Sequence, residues 1–323
     1  MPTRCACCKS GLRACPSQTE SGRAQISPTT YRVLPNAVSD DVTTIVRRFP
    51  ELAEPTSVTP LSGGITNRNY RVEVGGAVYV LRIAGRNTAQ LGIDRDREHH
   101  CALMAAALGV GAEVIRYLPE HGATLTRFIA GRVLSPDLAA HNEILARAAD
   151  ALRRLHAGPT VPGTFSAFEV VDDYHRLAAR HGVALPAEMT RALSELETLR
   201  KSLGAREPSC PCHNDLLPGN LIDDGASIRI IDWEYGGMGD PYFDLGNFAE
   251  NHRLAPDRER DLLRLYLGFV RPKDQTRLRA MRRVSSLREA MWGFAQVGIS
   301  ELEFDFAGYA KRHFQRFLAP DDA

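Results

Sequence analysis

His213-Asn214-Asp215, continued by Leu216-Leu217-Pro218-Gly219-Asn220, sets an aspartate and an asparagine five residues apart. Twelve residues beyond Asn220 stands Asp232, at the end of a segment that reads as a tight hairpin. The hairpin consists of apolar Leu221-Ile222, the turn Asp223-Asp224-Gly225, and a second apolar run from Ile228 to Ile231. Transfer of a phosphoryl group from a metal-bound nucleotide needs a carboxylate beside the acceptor hydroxyl and hard oxygen ligands for Mg²⁺. Asp215 suits the first task, and Asn220 and Asp232 suit the second. Each alone is an ordinary turn or strand-end residue, but the joint spacing points to chemistry. His213 is grouped with Asp215 in this loop, in a role of hydrogen-bonding backbone and shaping the turn. Asp244, in Tyr242-Phe243-Asp244-Leu245-Gly246-Asn247, is read as a brace for the loop rather than a helix cap.

A phosphoryl-transfer loop needs a second set of groups to hold the donor. Residues 57–61, 69–74 and 77–83 read as strands. The first is followed by Ser62-Gly63-Gly64, and the last two are joined by the two-residue turn Gly75-Gly76. A glycine-rich turn between antiparallel strands can lay backbone N–H groups over phosphates. Gly63, Gly64, Thr66 and Asn67 are therefore candidate nucleotide contacts. Arg82 ends the third strand, and residues 94–108 read as a helix with Glu98 near its start. A strand cation oriented by a helix carboxylate can hold nucleotide phosphates, and Arg does so bidentately without ever losing its charge. No Gly-x-Gly-x-x-Gly opens a helix and no Walker A sequence occurs, which disfavours a Rossmann or P-loop site.

Further strands are expected at residues 113–117 and 124–129, with Gly131 as a hinge. From Pro136 the pattern turns helical: residues 138–156, 170–181 and 186–203, then, after the central hairpin, 242–251, 258–269, 273–297 and 302–318. A short helix is expected at residues 40–49. The chain of 323 residues exceeds the usual reach of one hydrophobic core. The division reads as a disordered extension at residues 1–38, a nucleotide-binding lobe at 39–130 and a catalytic and substrate-binding lobe at 131–320.

A net charge of +1 gives no electrostatic reason to invoke nucleic acid or an anionic membrane. The apolar runs fall short of the roughly 20 residues of a membrane helix, and no apolar stretch follows Met1 to suggest secretion. The seven cysteines are accordingly expected to be reduced, in a cytoplasmic protein. Cys5, Cys7, Cys8 and Cys15 crowd the N-terminus without the pair spacing of a structural zinc site.

The motifs His-Asn-Asp-x-x-x-x-Asn, Ile-Asp-Trp-Glu-Tyr and Phe-Asp-Leu-Gly-Asn together resemble the choline/ethanolamine kinase family, within the aminoglycoside phosphotransferase-like group. Leu61-Ser-Gly-Gly-Ile-Thr-Asn67, Tyr79-Val-Leu-Arg82 and Glu301-Leu-Glu-Phe304 with Tyr309-Ala310 resemble flanking motifs of that family. The resemblance covers roughly residues 55–318. It implies an α+β, bilobal, protein-kinase-like fold, with a small antiparallel β-sheet lobe before a larger helix-rich lobe. It also implies ATP as donor, Mg²⁺ as cofactor and a small amino alcohol as acceptor. Asp215 then takes the place of the catalytic base, Asn220 and Asp232 of the metal ligands, and Arg82 and Glu98 of the phosphate-holding pair. Tyr235, Trp292 and Tyr309 match the aromatic amine pocket and Glu250 its acidic support, a setting suited to a quaternary ammonium, which has no N–H to donate. The sequence departs from that pattern at Leu217, at Glu289, where a second pocket tryptophan would stand, and at Glu250, displaced by one position. Aminoglycoside- or thiamine-type phosphorylation is the alternative within enzymes, and a nucleotide-sensing pseudokinase the alternative outside them.

Overall fold

The strand-forming segments of the first 130 residues assemble into one five-stranded antiparallel sheet in the computed structural model, which describes residues 40–61, 67–85, 88–204 and 208–319. Helix α1 (Asp40–Val46) precedes β1 (Ser57–Leu61), β2 (Asn67–Val74) and β3 (Ala77–Ala84). Helix α2 (Arg95–Ala107) then leads to β4 (Val114–Leu118) and β5 (Ala123–Arg127), and the spatial order is β1-β2-β3-β5-β4. Gly75 and Gly76 turn β2 into β3 with φ of 56° and 83°. Such a turn matches the strand twist and is strained for most other residues. Val42, Val46, Phe49 and Leu52 cover one face of this sheet, against Tyr70, Val72, Leu81, Ile83, Ala123 and Leu125.

The rest of the chain forms the helix-rich lobe. It comprises β6 (Arg132–Val133), α3 (Pro136–Ala139), α4 (Asn142–His156), α5 (Ala167–Arg180), α6 (Met189–Leu203) and β7 (Cys210–Cys212). The hairpin β8 (Leu221–Asp223) and β9 (Ile228–Ile230) follows, then β10 (Gly237–Gly239), α7 (Pro241–Asn251), α8 (Pro256–Leu267), α9 (Pro272–Ile299) and α10 (Phe306–Leu318). Strand β7 pairs with β10, and β8 lies between β6 and β9. Helix α9 runs through the centre of the lobe and is buried on every side from Val284 to Gln296. That is the signature of a core helix rather than an amphipathic one.

Helix α2 belongs by sequence to the small lobe but packs into the larger core. Its buried Cys101, Met104 and Ala105 join that core, not the cluster around α1. Gly158 and Gly236 let it sit close: a Cβ on Gly236 would come within 2.9 Å of the Cys101 sulfur, and one on Gly158 within 3.3 Å of the Met104 sulfur. Gly131, expected to be a free hinge, is instead pressed against β8. A Cβ there would lie 2.5 Å from the Asp223 carbonyl oxygen.

Several expected boundaries move for local reasons. The first helix stops at Val46 because Phe49 precedes Pro50 and takes extended backbone (φ −99°, ψ 108°). The single helix expected over 138–156 is two helices, since His141 leaves the helical region (ψ 138°) before α4 begins. The helix expected from Pro186 starts at Met189. The last helix starts at Phe306 rather than 302, where the Asp305 carboxylate caps the Gly308 N–H at 2.8 Å. No described helix is long and apolar enough to cross a membrane.

Candidate active site

The loop after β7 is held from behind by one buried carboxylate. Asp244, on the first turn of α7, accepts from the His213 N–H at 2.8 Å and from the Asn214 N–H at 2.7 Å. It therefore braces the loop as the sequence suggested, while Asp240 caps α7 by accepting from the Tyr242 N–H. The His213 ring is buried, touches the Ile231 carbonyl at 2.9 Å and accepts from the Asp215 N–H at 3.2 Å. Burial lowers its pKa, so the neutral ring ties loop to hairpin. Asn214 and Asp232 both adopt left-handed backbone, with φ of 67° and 69°. Asn and Asp tolerate that region better than other non-glycine residues, and strain of this kind persists where the surroundings over-determine it.

Asp215 lies at the open end of this frame. Asn220 donates its amide to the Asp215 carbonyl at 2.8 Å, which ties the two ends of the motif together and turns its own carbonyl oxygen outward as the ligand-capable atom. The Asp215 carboxylate receives Arg288 Nη1 at 2.8 Å, and the same nitrogen donates to Glu289 at 2.6 Å. The Arg288 guanidinium, itself buried, lies 4.3 Å over the Tyr235 ring. Tyr309 donates its hydroxyl to the other oxygen of Glu289 at 2.7 Å. Burial pushes Asp215 up to about 7; Arg288 opposes this, while Glu289 and Asp232 add to it. Burial alone would raise Glu289, but Arg288, His313 and the Tyr309 hydroxyl together hold that carboxyl below its usual range.

On the donor side Arg82 pairs with Glu98, as expected, and also reaches Asp232 at 2.8 Å and Glu234 at 2.9 Å. Arg95 donates to Glu98 and to Glu234, each at 2.7 Å, and Asn67 donates to Glu234 at 3.0 Å. Of these side chains Arg82, Glu98 and Asp232 face a cleft between the lobes, whose walls also include Asn220 and apolar Leu61, Val80, Ile222 and Ile231. The donor set fits a divalent cation. Asp232 and Asn220 offer hard oxygens, and burial pushes Asp232 up to about 6 even with Arg82 beside it. Burial rather than a lack of partners causes that rise, and a cation bound beside it would favour the ionised form.

Residues 57–280 match the APH phosphotransferase enzyme family. The chain belongs to that family. It is 29% identical over 211 residues to Protein LicA of Haemophilus influenzae, a match that spans 63% of this chain and 61% of the relative. It is 27% identical over 325 residues to ethanolamine kinase 1 of Mus musculus, spanning 86% of this chain and 88% of that one. A crystal structure of a choline/ethanolamine kinase family protein from Mesorhizobium loti superposes with a TM-score of 0.76 at 32% identity, over 88% of this chain and 96% of the other. The phosphotransferase is thus a small-molecule kinase of the APH family, with the protein-kinase-like architecture of its neighbours.

The phosphotransferase brings most of the expected residues together, with exceptions. Gly63, Gly64 and Thr66 lie outside the described residues. Glu250, expected among the substrate contacts, is engaged elsewhere: its carboxylate pairs with Arg282 at 3.1 Å and Arg316 at 3.8 Å. Trp292 and Tyr309 stack edge to face at 5.6 Å and are mostly packed in the core. Tyr235 is not an open cage wall, because Arg288 covers its ring and Tyr174 bonds its hydroxyl at 3.2 Å. Arg288, Glu289, Arg95 and Glu234 are the site residues that sequence reasoning did not assign. For the first two the available signal was a charged pair inside the otherwise uncharged stretch from Val284 to Gln296, where burial demands partners.

Proposed function

We propose that this phosphotransferase uses ATP and Mg²⁺ to phosphorylate the hydroxyl of a small amino alcohol of the choline and ethanolamine class. The observation that carries the reading is the cleft that joins Asn220 and Asp232 to the Arg82–Glu98 pair, with Asp215 tied to Asn220 at its margin. In this reading Asp215 orients the acceptor hydroxyl and takes its proton, and Arg82 turns from the carboxylates to the nucleotide phosphates. Asn220 and Asp232 hold Mg²⁺, which when bound neutralises phosphate charge. The near relatives named for choline and ethanolamine kinases support the acceptor class. The experiment is ATP consumption against a panel of choline, ethanolamine, thiamine and an aminoglycoside. Turnover confined to either of the last two would sink the assignment, and nucleotide binding with no turnover would revive a sensing role.

Within the class, the acceptor pocket favours an amine that carries N–H bonds. Asp215 and Glu289 against Arg288 leave one net negative charge, which suits one ammonium group. Glu289 stands where an aromatic wall would be, and Arg288 already covers the Tyr235 face. Glu289 is buried with one oxygen on Arg288 and the other on Tyr309, so a primary ammonium that displaces the Tyr309 hydroxyl could donate to it, whereas a quaternary one could offer it only charge. A hydrogen bond to a charged group is worth about 1.5–3 kcal/mol. Glu289→Gln is therefore expected to lower kcat/KM for ethanolamine by roughly 10–100-fold and for choline distinctly less. Equal losses for the two would remove Glu289 from amine selection.

The pH profile follows from Asp215. A base must be ionised, and burial pushes this carboxyl up to about 7, so kcat/KM for the acceptor is expected to fall as pH drops through that value. The limb in kcat should lie at lower pH, because a bound divalent cation favours the carboxylate. A rate flat from pH 8 to about 5 would exclude Asp215 as the titrating base.

A further inference from the structure

We propose that His156, Cys210 and Cys212 form a binding site for a Zn²⁺ ion behind the loop that carries Asp215. Cys210 and Cys212 are two apart on β7, so both thiols leave the strand on one face. Their sulfurs are 3.7 Å apart. Two thiolates on a tetrahedral Zn²⁺, with bonds of about 2.3 Å, stand about 3.8 Å apart. A disulfide needs about 2.05 Å, which would bend β7, so the spacing favours an ion over a bridge. His156, at the end of α4, completes the set: ligand atoms of all three residues lie within 4.8 Å of one another.

The His156 side chain is enclosed, and its Nε2 is 3.0 Å from Asp244 Oδ2. Asp244 is an acceptor toward its other partners, so Nε2 carries the proton and Nδ1 the lone pair. A carboxylate behind the ring is the usual orienting partner of a metal-binding histidine. Nδ1 now meets the Tyr266 hydroxyl at 2.8 Å; that hydroxyl is the group the ion would displace. Sulfur and imidazole select Zn²⁺ over Mg²⁺, which prefers an all-oxygen shell, so the site is distinct from the one at Asn220 and Asp232. Binding converts both thiols to thiolates and releases their protons to solvent. The ion would join α4 to β7, and through Asp244 to the backbone N–H groups of His213 and Asn214.

The test uses the full chain with Cys5, Cys7, Cys8 and Cys15 each replaced by Ser, reduced, stripped of metal and held in excess Mg²⁺. Zn²⁺ is titrated against a chromophoric chelator, Co²⁺ binding is followed by absorption, and Tm is measured with and without Zn²⁺. The expected result is a single Zn²⁺ per chain, a sulfur-to-cobalt charge-transfer band and a Tm raised by Zn²⁺. Affinity should fall by more than roughly tenfold in Cys212→Ser and in His156→Gln. A cobalt spectrum without the charge-transfer band overturns the proposal, and needs no variant that must fold. Binding abolished by Asp232→Asn but unaffected by Cys212→Ser overturns it as well.

Discussion

Asp215→Asn is expected to lower kcat by roughly 10²–10⁴-fold, with nucleotide affinity and Tm little changed. The amide keeps the shape of the side chain and an oxygen for Arg288, whose second partner Glu289 is untouched. What it loses is the ability to take a proton. Steady-state rates with choline and ethanolamine, with calorimetric titration of the nucleotide, separate these effects. Retained turnover with either acceptor would mean that Asp215 is not the base, while lost nucleotide binding would mean that the variant disturbed the cleft itself.

Arg288→Met should produce the largest loss of stability. Removing one partner of a buried ion pair leaves uncompensated charge, at a cost of about 3–5 kcal/mol, and here two carboxylates lose the same partner. For a chain of this size the drop in Tm is on the order of 10 °C. The pH dependence tells this apart from a simple packing defect. Arg288 opposes the effect of burial on Asp215, so its removal raises that carboxyl further. A carboxyl that binds its proton more tightly in the folded chain than in the unfolded one stabilises below its unfolded pKa near 4. That contribution is lost as pH rises through the folded value. The variant should thus be less destabilised at acid pH than at pH 8, and the acid limb of its activity should move upward. Thermal melts and rates across pH check both; a uniform loss of Tm with an unmoved limb would assign Arg288 to packing alone.

Much of the site could be read from the sequence because its members are close in the chain. Asp215, Asn220 and Asp232 fall within one loop and one hairpin, so their spacing carries the geometry, and Asp244 follows on the next helix. Arg82 and Glu98 could be paired because a strand and the next helix are neighbours in most such lobes. Arg288 and Glu289 lie 73 residues or more beyond Asp215 on a helix buried all round, where no apolar stripe marks which face meets the loop. Arg95 and Glu234 were hidden differently. They stand 139 residues apart and meet only where the lobes come together. Glu250, matched only by resemblance as acidic support, is instead paired with Arg282 of α9 and Arg316 of α10. Helix ends moved where a single proline or cap decided them, as at Pro50 and Asp305.

The seating of α2 bears on how this enzyme could be controlled. In a bilobal kinase the helix that carries the partner of the strand cation can serve as a lever: swung outward, it breaks the ion pair and idles the catalyst. Here that lever is glued down. Cys101, Met104 and Ala105 share the large core, and Gly158 and Gly236 admit the helix so closely that withdrawal would open voids on both surfaces. Emptying packed volume costs about 24 cal/mol per Å³, so each withdrawn side chain adds to the penalty. Packing of the helix thereby holds Glu98 against Arg82, so on the proposed reading the pair is in place before any nucleotide binds.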